Sequence, residues 1–238
     1  MKKQIVVALF FLNYCLVATF AQAQKTSTQD QSTFKASDVK KLYLSGYFQA
    51  ELIKGTEEKV VFTAPPEIKR LIKVQVSKGK VSIKGKSKRL KRITYRRLKV
   101  QIYYKQLEAI KARNGVSVVS NGTIENELFD LVVIEGSNVD LKMHTKDLKA
   151  RVSMGSEALL EGTSDTFQVR VKMGSSLDAY SFKTNICYVK TGMGSDASVF
   201  AREAIYMAAG MGSSIKYRGQ PKKVLKSNAW MGSDINRN

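Results

Sequence analysis

The sequence has 238 residues, of which 40 are Lys or Arg and 20 are Asp or Glu, giving a formal net charge of +20. This length allows one sizeable core or one elongated repeat domain. Two cysteines and one histidine exclude a disulfide-rich scaffold and leave few thiolate or imidazole ligands for a metal centre.

Residues 1–23 are typical of a cleaved secretory signal. A charged start precedes an apolar stretch over residues 5–20 and a small-residue cleavage site at Ala21-Gln22-Ala23. Cys15 lacks the small preceding residues of a lipoprotein cysteine, so we expect no lipid anchor and only Cys187 in the mature chain. No second apolar span follows. We therefore expect export to the periplasm, the cell surface or the medium.

After a short linker over residues 24–33, residues 34–113 are predicted to form an irregular β region. Short strand patterns are separated by turns at Lys54-Gly55, Pro65-Pro66 and Lys78-Gly79. A terminal repeat must cap the stack of a solenoid, so we expect this region to be the less regular cap of the repeats that follow.

The densest positive charge lies inside this region. Between Lys69 and Arg113 there are 17 basic residues and one acidic residue. Such density attracts phosphate, sulfate or carboxylate polymers with little selectivity, and the alternative is a solvated loop of a basic protein. The candidate anion-binding residues of segment 84–97 are Lys84, Lys86, Lys88, Arg89, Lys91, Arg92, Arg96 and Arg97.

A repeat of 18–20 residues occupies residues 114–238. Apolar and polar positions alternate with a period of two on both sides of a recurring glycine, which is typical of strands. The positions seven residues before the glycines are predicted to form one inward column: Phe129, Leu148, Phe167, Cys187, Ile205 and Leu225. A repeat this short has no room for a full helix, and it predicts one coil of a parallel β-helix. Coils stacked about 4.8 Å apart would align the glycines in one column: Gly136, Gly155, Gly174, Gly194, Gly212 and Gly232.

Five of these glycines belong to a Met-Gly-Ser triplet. We expect Gly to form a corner that a Cβ would obstruct, Ser to bond nearby backbone groups, and the methionines to stack as an apolar ladder. The alternative is a soft-metal site, because thioethers suit Cu(I). Metal sites usually combine Met with His or Cys, but His144 lies outside the column and Cys187 falls at an inward, buried position. We therefore expect no metal and no cofactor.

The outward positions separate the two signs of charge. Before the glycines, Lys149, Arg151, Arg170, Lys172 and Lys190 form a basic strip beside two tyrosines, whereas the positions after the glycines are acidic. The simpler interpretation is that these charges keep the sheet faces soluble. The ordered separation of sign favours an anion-binding strip.

The motifs LYLSGYFQAELIKG, VSKGKVSIKG and LKVQIYYKQLEAIKARNGVSV, followed by Gly-Ser coils, resemble the GIN domain family, the auto-transporter adhesin head domain of exported Bacteroidetes proteins. The resemblance covers about residues 34–236. It implies an all-β, right-handed parallel β-helix-like fold over residues 34–238, export, and an adhesive or surface role. It supplies no catalytic residues.

These features predict a non-enzymatic, adhesin-like envelope protein that binds anionic polysaccharide, lipopolysaccharide phosphate or an anionic membrane surface, without specific readout of nucleic acid. A second hypothesis is a scaffold that self-associates through its C-terminal coil, where Trp230 caps the core or anchors a partner. A polysaccharide-cleaving β-helix would need convergent acids, but Asp178 and Asp196 are predicted to be diagonal neighbours on an open face. We expect no enzymatic activity.

Overall fold

The computed structural model describes residues 31–85 and 98–238. The predicted signal peptide and residues 86–97 of the basic segment lie outside the described residues. Within the described part, no helix is long and apolar enough to cross a bilayer. The described chain is a β-solenoid of about seven turns with a less regular N-terminal region, which confirms the predicted fold class.

The described part of the N-terminal region contains eight short strands and one four-residue helix. The elements are β1 (Gln31–Lys35), β2 (Lys41–Ser45), β3 (Gln49–Lys54), β4 (Lys59–Thr63), α1 (Pro66–Lys69), β5 (Ile72–Ser77), β6 (Lys80–Gly85), β7 (Lys99–Tyr104) and β8 (Ala109–Arg113). Some strands pair in parallel, as β2 does with β6 and β8, while β1 and β4, β4 and β7, and β5 and β6 pair antiparallel. The antiparallel strands interrupt the parallel stack at this end.

The regular coils begin at β9. Each long strand pairs in parallel with the next, and each bends around the core between its two ends. The elements are β9 (Ser117–Ile134), β10 (Asn138–Ser153), β11 (Glu157–Lys172), β12 (Ser176–Gly192), β13 (Asp196–Gly210), β14 (Ser214–Arg218), β15 (Lys223–Trp230) and β16 (Asp234–Arg237).

The predicted inward column is confirmed by the strand register. Leu148, Phe167, Cys187 and Ile205 align on successive coils, and each is fully buried. Phe167 also packs edge-on against Phe182, with ring centroids 5.3 Å apart. Burial of each large apolar side chain stabilises the fold by about 1.5–3 kcal/mol, so this column holds consecutive coils together.

The Met-Gly-Ser corner requires Gly for a different reason from the expected one. An added Cβ at any of the six column glycines would have no atom within 4 Å, so open space surrounds the position. What demands Gly is its left-handed backbone, with φ between 63° and 72°. The methionines before five of these glycines are also left-handed, and they are exposed at the surface.

The serines of the corner point inward and make the predicted backbone contacts. Ser195 Oγ lies 2.8 and 2.9 Å from the carbonyl oxygens of Val171 and Gly192, which share its one hydroxyl proton, and it accepts from the Gly192 amide at 3.1 Å. Ser156 and Ser175 accept a hydrogen bond from the backbone of the preceding coil. These buried hydroxyls satisfy backbone groups at their bends, whereas the buried Ser137 Oγ has no hydrogen-bond partner among the described residues.

The last coil departs from the predicted alignment. Val224, not Leu225, pairs with Ile205 of the inward column, and Leu225 pairs with Tyr206. Paired residues such as Ile205 and Val224 are 19 residues apart in the sequence, whereas Gly212 and Gly232 are 20 residues apart. A bulge in the last coil, opposite Ala208–Gly210, accommodates the extra residue.

Trp230 lies outside the core. It pairs with Gly210 of the preceding coil. Gly210 in turn stacks in register on Gly192 and Lys172 of the two coils before it, at a position that faces outward. Its indole Nε1 lies 2.6 Å from the position that a Cβ on Gly210 would occupy, and the side chain is 52% exposed. The indole therefore covers the outer face of a glycine and does not close the end of the core.

Candidate functional site

An open groove of about 880 Å³ runs over the outer face of the C-terminal halves of β9–β12. Alternate residues of a strand point to the same face, and the in-register coils stack equivalent residues above one another. We call this surface the basic groove. Its lining residues are Asp130, Leu131, Val132, Asp147, Lys149, Ala150, Arg151, Thr166, Gln168, Val169, Arg170, Tyr188 and Lys190.

Three cations form a column in the basic groove. Arg151 pairs in register with Arg170, and Arg170 pairs with Lys190. All three side chains are exposed, and no ion pair within the described ranges engages them. Like charges directly opposite each other on neighbouring strands are destabilising. A bound anion would offset this repulsion.

A second column runs beside the first and ends in aromatic rings. Lys149 aligns with Gln168, Gln168 with Tyr188, and Tyr188 with Tyr206. The two tyrosine rings are stacked, with centroids 4.5 Å apart and planes inclined by 9°. Lys223 Nζ lies 5.7 Å from the centroid of Tyr206. The C-terminal end of the groove therefore presents a flat aromatic surface beside positive charge.

The outer face of the groove continues into the N-terminal region. β9 pairs with β8, β8 with β2, and β2 with β6. Lys111 of β8 aligns with Val132, and therefore lies in the same column as Arg151 and Arg170. The six strand-to-strand steps from β6 to β12 span about 29 Å at about 4.8 Å each.

A cluster of cations surrounds Tyr43 at the N-terminal end of this face. Lys80, Lys84 and Lys111 place their Nζ atoms 5.1, 5.4 and 5.6 Å from the ring centroid. Cation–π contacts of this kind contribute about 0.5–1 kcal/mol each at exposed sites. We call Tyr43 and these cations, with Arg113, the Tyr43 cluster, and we call this cluster together with the basic groove the basic face.

Arg113 fixes the orientation of the Tyr43 cluster. Its Nη1 donates to the Tyr43 hydroxyl at 3.0 Å, while its Nε and Nη2 donate to the two carboxylate oxygens of Glu135 at 3.0 and 2.7 Å. The hydrogen bonds to Tyr43 and then Glu135 raise the pKa of Arg113 above its usual value. A two-point contact of this type holds the guanidinium plane in one orientation.

The structure brings most of the described candidate residues together. Lys149, Arg151, Arg170 and Lys190 line the basic groove. Lys172 lies two residues further along β11 on the same face, outside the groove lining. Lys84 belongs to the Tyr43 cluster. The other candidates lie outside the described residues: Lys86, Lys88, Arg89, Lys91, Arg92, Arg96 and Arg97.

The sequence did not reveal the Tyr43 cluster as a site. The alternation in KKLYLS, KVSIKG and AIKAR places Lys and Tyr on the outer face of β2, β6 and β8. These strands are far apart in the sequence, and only their pairing shows that the residues meet.

The acidic face shows the predicted diagonal arrangement. Asp178 aligns with Ser198, while Asp196 aligns with Ser176. In residues 31–85 and 98–238, no group of three or more His, Cys, Asp or Glu side chains is placed to hold a metal ion. Cys187 is fully buried, and burial raises the pKa of its thiol, which keeps it in the unreactive neutral form.

A family model described as "Putative auto-transporter adhesin, head GIN domain" matches residues 38–221. A putative adhesin from Bacteroides fragilis has a similar structure, with a TM-score of 0.81 and 19% identity over 90% of this chain and 98% of that chain.

Two further solved structures share the fold. A putative lipid binding protein from Parabacteroides distasonis has a TM-score of 0.66 and 14% identity, covering 90% of this chain and 98% of that chain. A putative adhesin from Parabacteroides merdae has a TM-score of 0.60 and 10% identity, covering 90% and 97%. No curated protein matches this sequence.

Proposed function

Because the chain belongs to the family of auto-transporter adhesin head GIN domains, we propose that it is an exported, non-enzymatic, adhesin-like protein that binds an anionic polysaccharide through the basic face. The observation that carries the proposal is the in-register column of Arg151, Arg170 and Lys190 in an open groove.

The shape of the basic face favours a polymer over a small ligand. The groove is open, and cations recur over about 29 Å of the same outer face. A small anion would engage one or two of these charges, whereas an extended chain with regularly spaced acidic groups engages many. Asp130 and Val132, which line the basic groove on β9, separate the Tyr43 cluster from the cations of the groove. This break divides the face into two contact regions for one polymer.

The residue types favour carboxylate or sulfate groups on sugars. Arg151 and Arg170 present planar guanidinium groups, which bind carboxylate and sulfate-like oxyanions through two parallel hydrogen bonds. Tyr188 is 39% exposed and stacked on Tyr206 at the end of the groove. An exposed aromatic ring offers an apolar surface to a sugar ring. Charge and aromatic surface together support an acidic glycan.

The test compares two triple variants that lose the same charge. The groove variant is Arg151→Gln/Arg170→Gln/Lys190→Gln, and the control is Lys142→Gln/Arg202→Gln/Lys216→Gln, whose residues are exposed but lie outside the groove. Binding to an acidic glycan, a matched neutral glycan and anionic phospholipid vesicles would be measured by biolayer interferometry at low and near-physiological salt.

We expect the groove variant to bind the acidic glycan at least about tenfold more weakly than the parent, a loss of about 1.4 kcal/mol, and the control to lose much less. Equal losses in the two variants, or binding that vanishes at physiological salt, would show only generic attraction and would overturn the proposal. Preference for vesicles over the glycan would point to a lipid ligand instead.

A further inference from the structure

The five methionines of the Met-Gly-Ser triplets occupy a position that disfavours them. Their φ angles lie between 53° and 60°, in the left-handed region. This conformation costs a residue other than Gly about 1–2 kcal/mol, and Asn tolerates it best. The chain itself uses Asn114 before Gly115 at the equivalent corner of an earlier coil. Backbone preference therefore does not explain the methionines.

Core packing does not explain them either. The exposed fractions are 49% for Met154, 44% for Met173, 46% for Met193, 44% for Met211 and 67% for Met231. Gly and Ser of the same triplet have evident structural roles, in the left-handed turn and in buried hydrogen bonds. Methionine is the one residue of the triplet whose identity the fold does not require.

The methionines form a ladder with fixed rungs, which we call the Met ladder. In each rung the amide of the following glycine donates to the carbonyl of the methionine in the next coil, at 2.9–3.0 Å. Met173, Met193 and Met211 have methionine rungs on both sides and are 44–46% exposed. Met154, which has a methionine on one side and Glu135 at the corner of the preceding coil on the other, is 49% exposed, and Met231, which has a neighbouring corner on one side only, is 67% exposed. This difference indicates that neighbouring side chains cover one another.

We propose that the Met ladder binds a soft monovalent cation, Cu(I) or its analogue Ag(I), between the thioethers of adjacent rungs. Thioether sulfur is a ligand selective for Cu(I). Rungs about 4.8 Å apart are separated by about twice a metal–sulfur bond of ~2.3 Å, taking the length known for zinc. Sulfurs that keep the rung spacing can therefore flank one ion from two sides.

Carboxylates recur beside the Met ladder. Glu157, Asp196 and Asp234 are exposed two residues after the glycines of three of the rungs, while Lys172 directly precedes Met173. The carboxylates supply negative charge at these three rungs on an otherwise basic protein. The other soft ligands lie elsewhere, because Cys187 is fully buried and His144 contacts Thr163 on β11. Binding at the ladder would therefore use thioethers alone, and it departs from the expectation of no metal, which rested on the lack of His and Cys partners beside the methionines.

The experiment is a titration of the protein with Ag(I), observed by NMR of ¹³C-labelled methionine methyl groups. Met143 and Met207 are buried in the core and provide internal controls. We expect the five ladder resonances to shift and saturate while the two core resonances stay in place. The only tryptophan, Trp230, directly precedes Met231, so its fluorescence should change in parallel.

A variant Met173→Leu/Met193→Leu/Met211→Leu removes the three central thioethers and keeps apolar side chains. We expect it to bind Ag(I), and Cu(I) in competition with a chromophoric chelator, at least tenfold more weakly, with unchanged binding to the acidic glycan. Shifts of the core methyls together with the ladder, no ladder shift, or an unchanged affinity in the variant would each overturn the proposal. The glycan readout keeps this result separate from the proposed function.

Discussion

Gly162, which lies within β11, allows a quantitative test of how closely neighbouring coils approach each other. Its φ is +116°, and a Cβ added there would lie 1.9 Å from the carbonyl oxygen of Met143 in the neighbouring strand. Strand pairing on both sides, to Met143 and Phe182, restricts the backbone movement that would relieve this clash. A strained φ costs about 1–3 kcal/mol and overpacking about 1–3 kcal/mol, so we expect Gly162→Ala to lower the free energy of unfolding by about 4 kcal/mol.

Gly155→Ala is the matched control. Gly155 is also left-handed, with φ +66°, but no atom lies within 4 Å of its added Cβ. Only the conformational cost of about 1–2 kcal/mol applies. Urea unfolding followed by far-UV circular dichroism would give both free energies. Equal losses in the two variants, or a larger loss for Gly155→Ala, would refute the assignment of the Gly162 cost to the contact with Met143.

Two further predictions concern buried titratable groups. The Tyr104 hydroxyl is buried with no hydrogen-bond partner among the described residues, and burial, followed by the charge of Glu125, raises the pKa of Tyr104 to about 12. An unfolded Tyr ionises near pH 10, so the native state, which stays neutral, loses stability as the pH rises from 10 towards 12. The Tyr104→Phe variant should lack this alkaline loss of stability, and its free energy of unfolding at neutral pH should be about 1 kcal/mol higher. Urea unfolding midpoints of the parent and the variant at pH 9 and 11 would measure the loss. An equal alkaline loss in the variant would contradict the prediction. Burial likewise raises the pKa of the Cys187 thiol, so iodoacetamide at pH 8 should label it no faster than the protein unfolds, as followed by mass spectrometry; faster labelling of native protein would disprove this.

The regular coils could be predicted because their information is local. A period of two places Leu148, Phe167 and Cys187 inside, and a spacing of 18–20 residues aligns them, as the register confirms. The same reasoning could not locate the Tyr43 cluster. Tyr43 and Lys111 belong to strands without a common repeat, and their contact depends on pairing between distant parts of the chain.

The sequence periodicity alone could not give the direction of the methionines, for a physical reason. Each methionine precedes its glycine by one residue, an odd offset at which an uninterrupted strand alternation would place an inward side chain. Two consecutive left-handed residues, such as Met154 and Gly155, break the alternation. Ser156 then takes the inward position and Met154 the outward one. A corner with two positive φ values is thus where a periodic prediction fails.

In a solenoid, a residue type that recurs at the same position of each repeat forms a column on the structure. Comparing such columns separates repetition that the fold requires from repetition that serves a function. The buried serines from Ser156 to Ser213 recur because their bends present backbone groups to a hydroxyl. The Arg151 to Lys190 column and the Met ladder recur at exposed positions where stacking is unfavourable or conformationally costly. If either column only supported the fold, replacing it with Gln or with Asn should lower stability and remove no binding. A loss of ligand binding with unchanged or increased stability would assign the column to function.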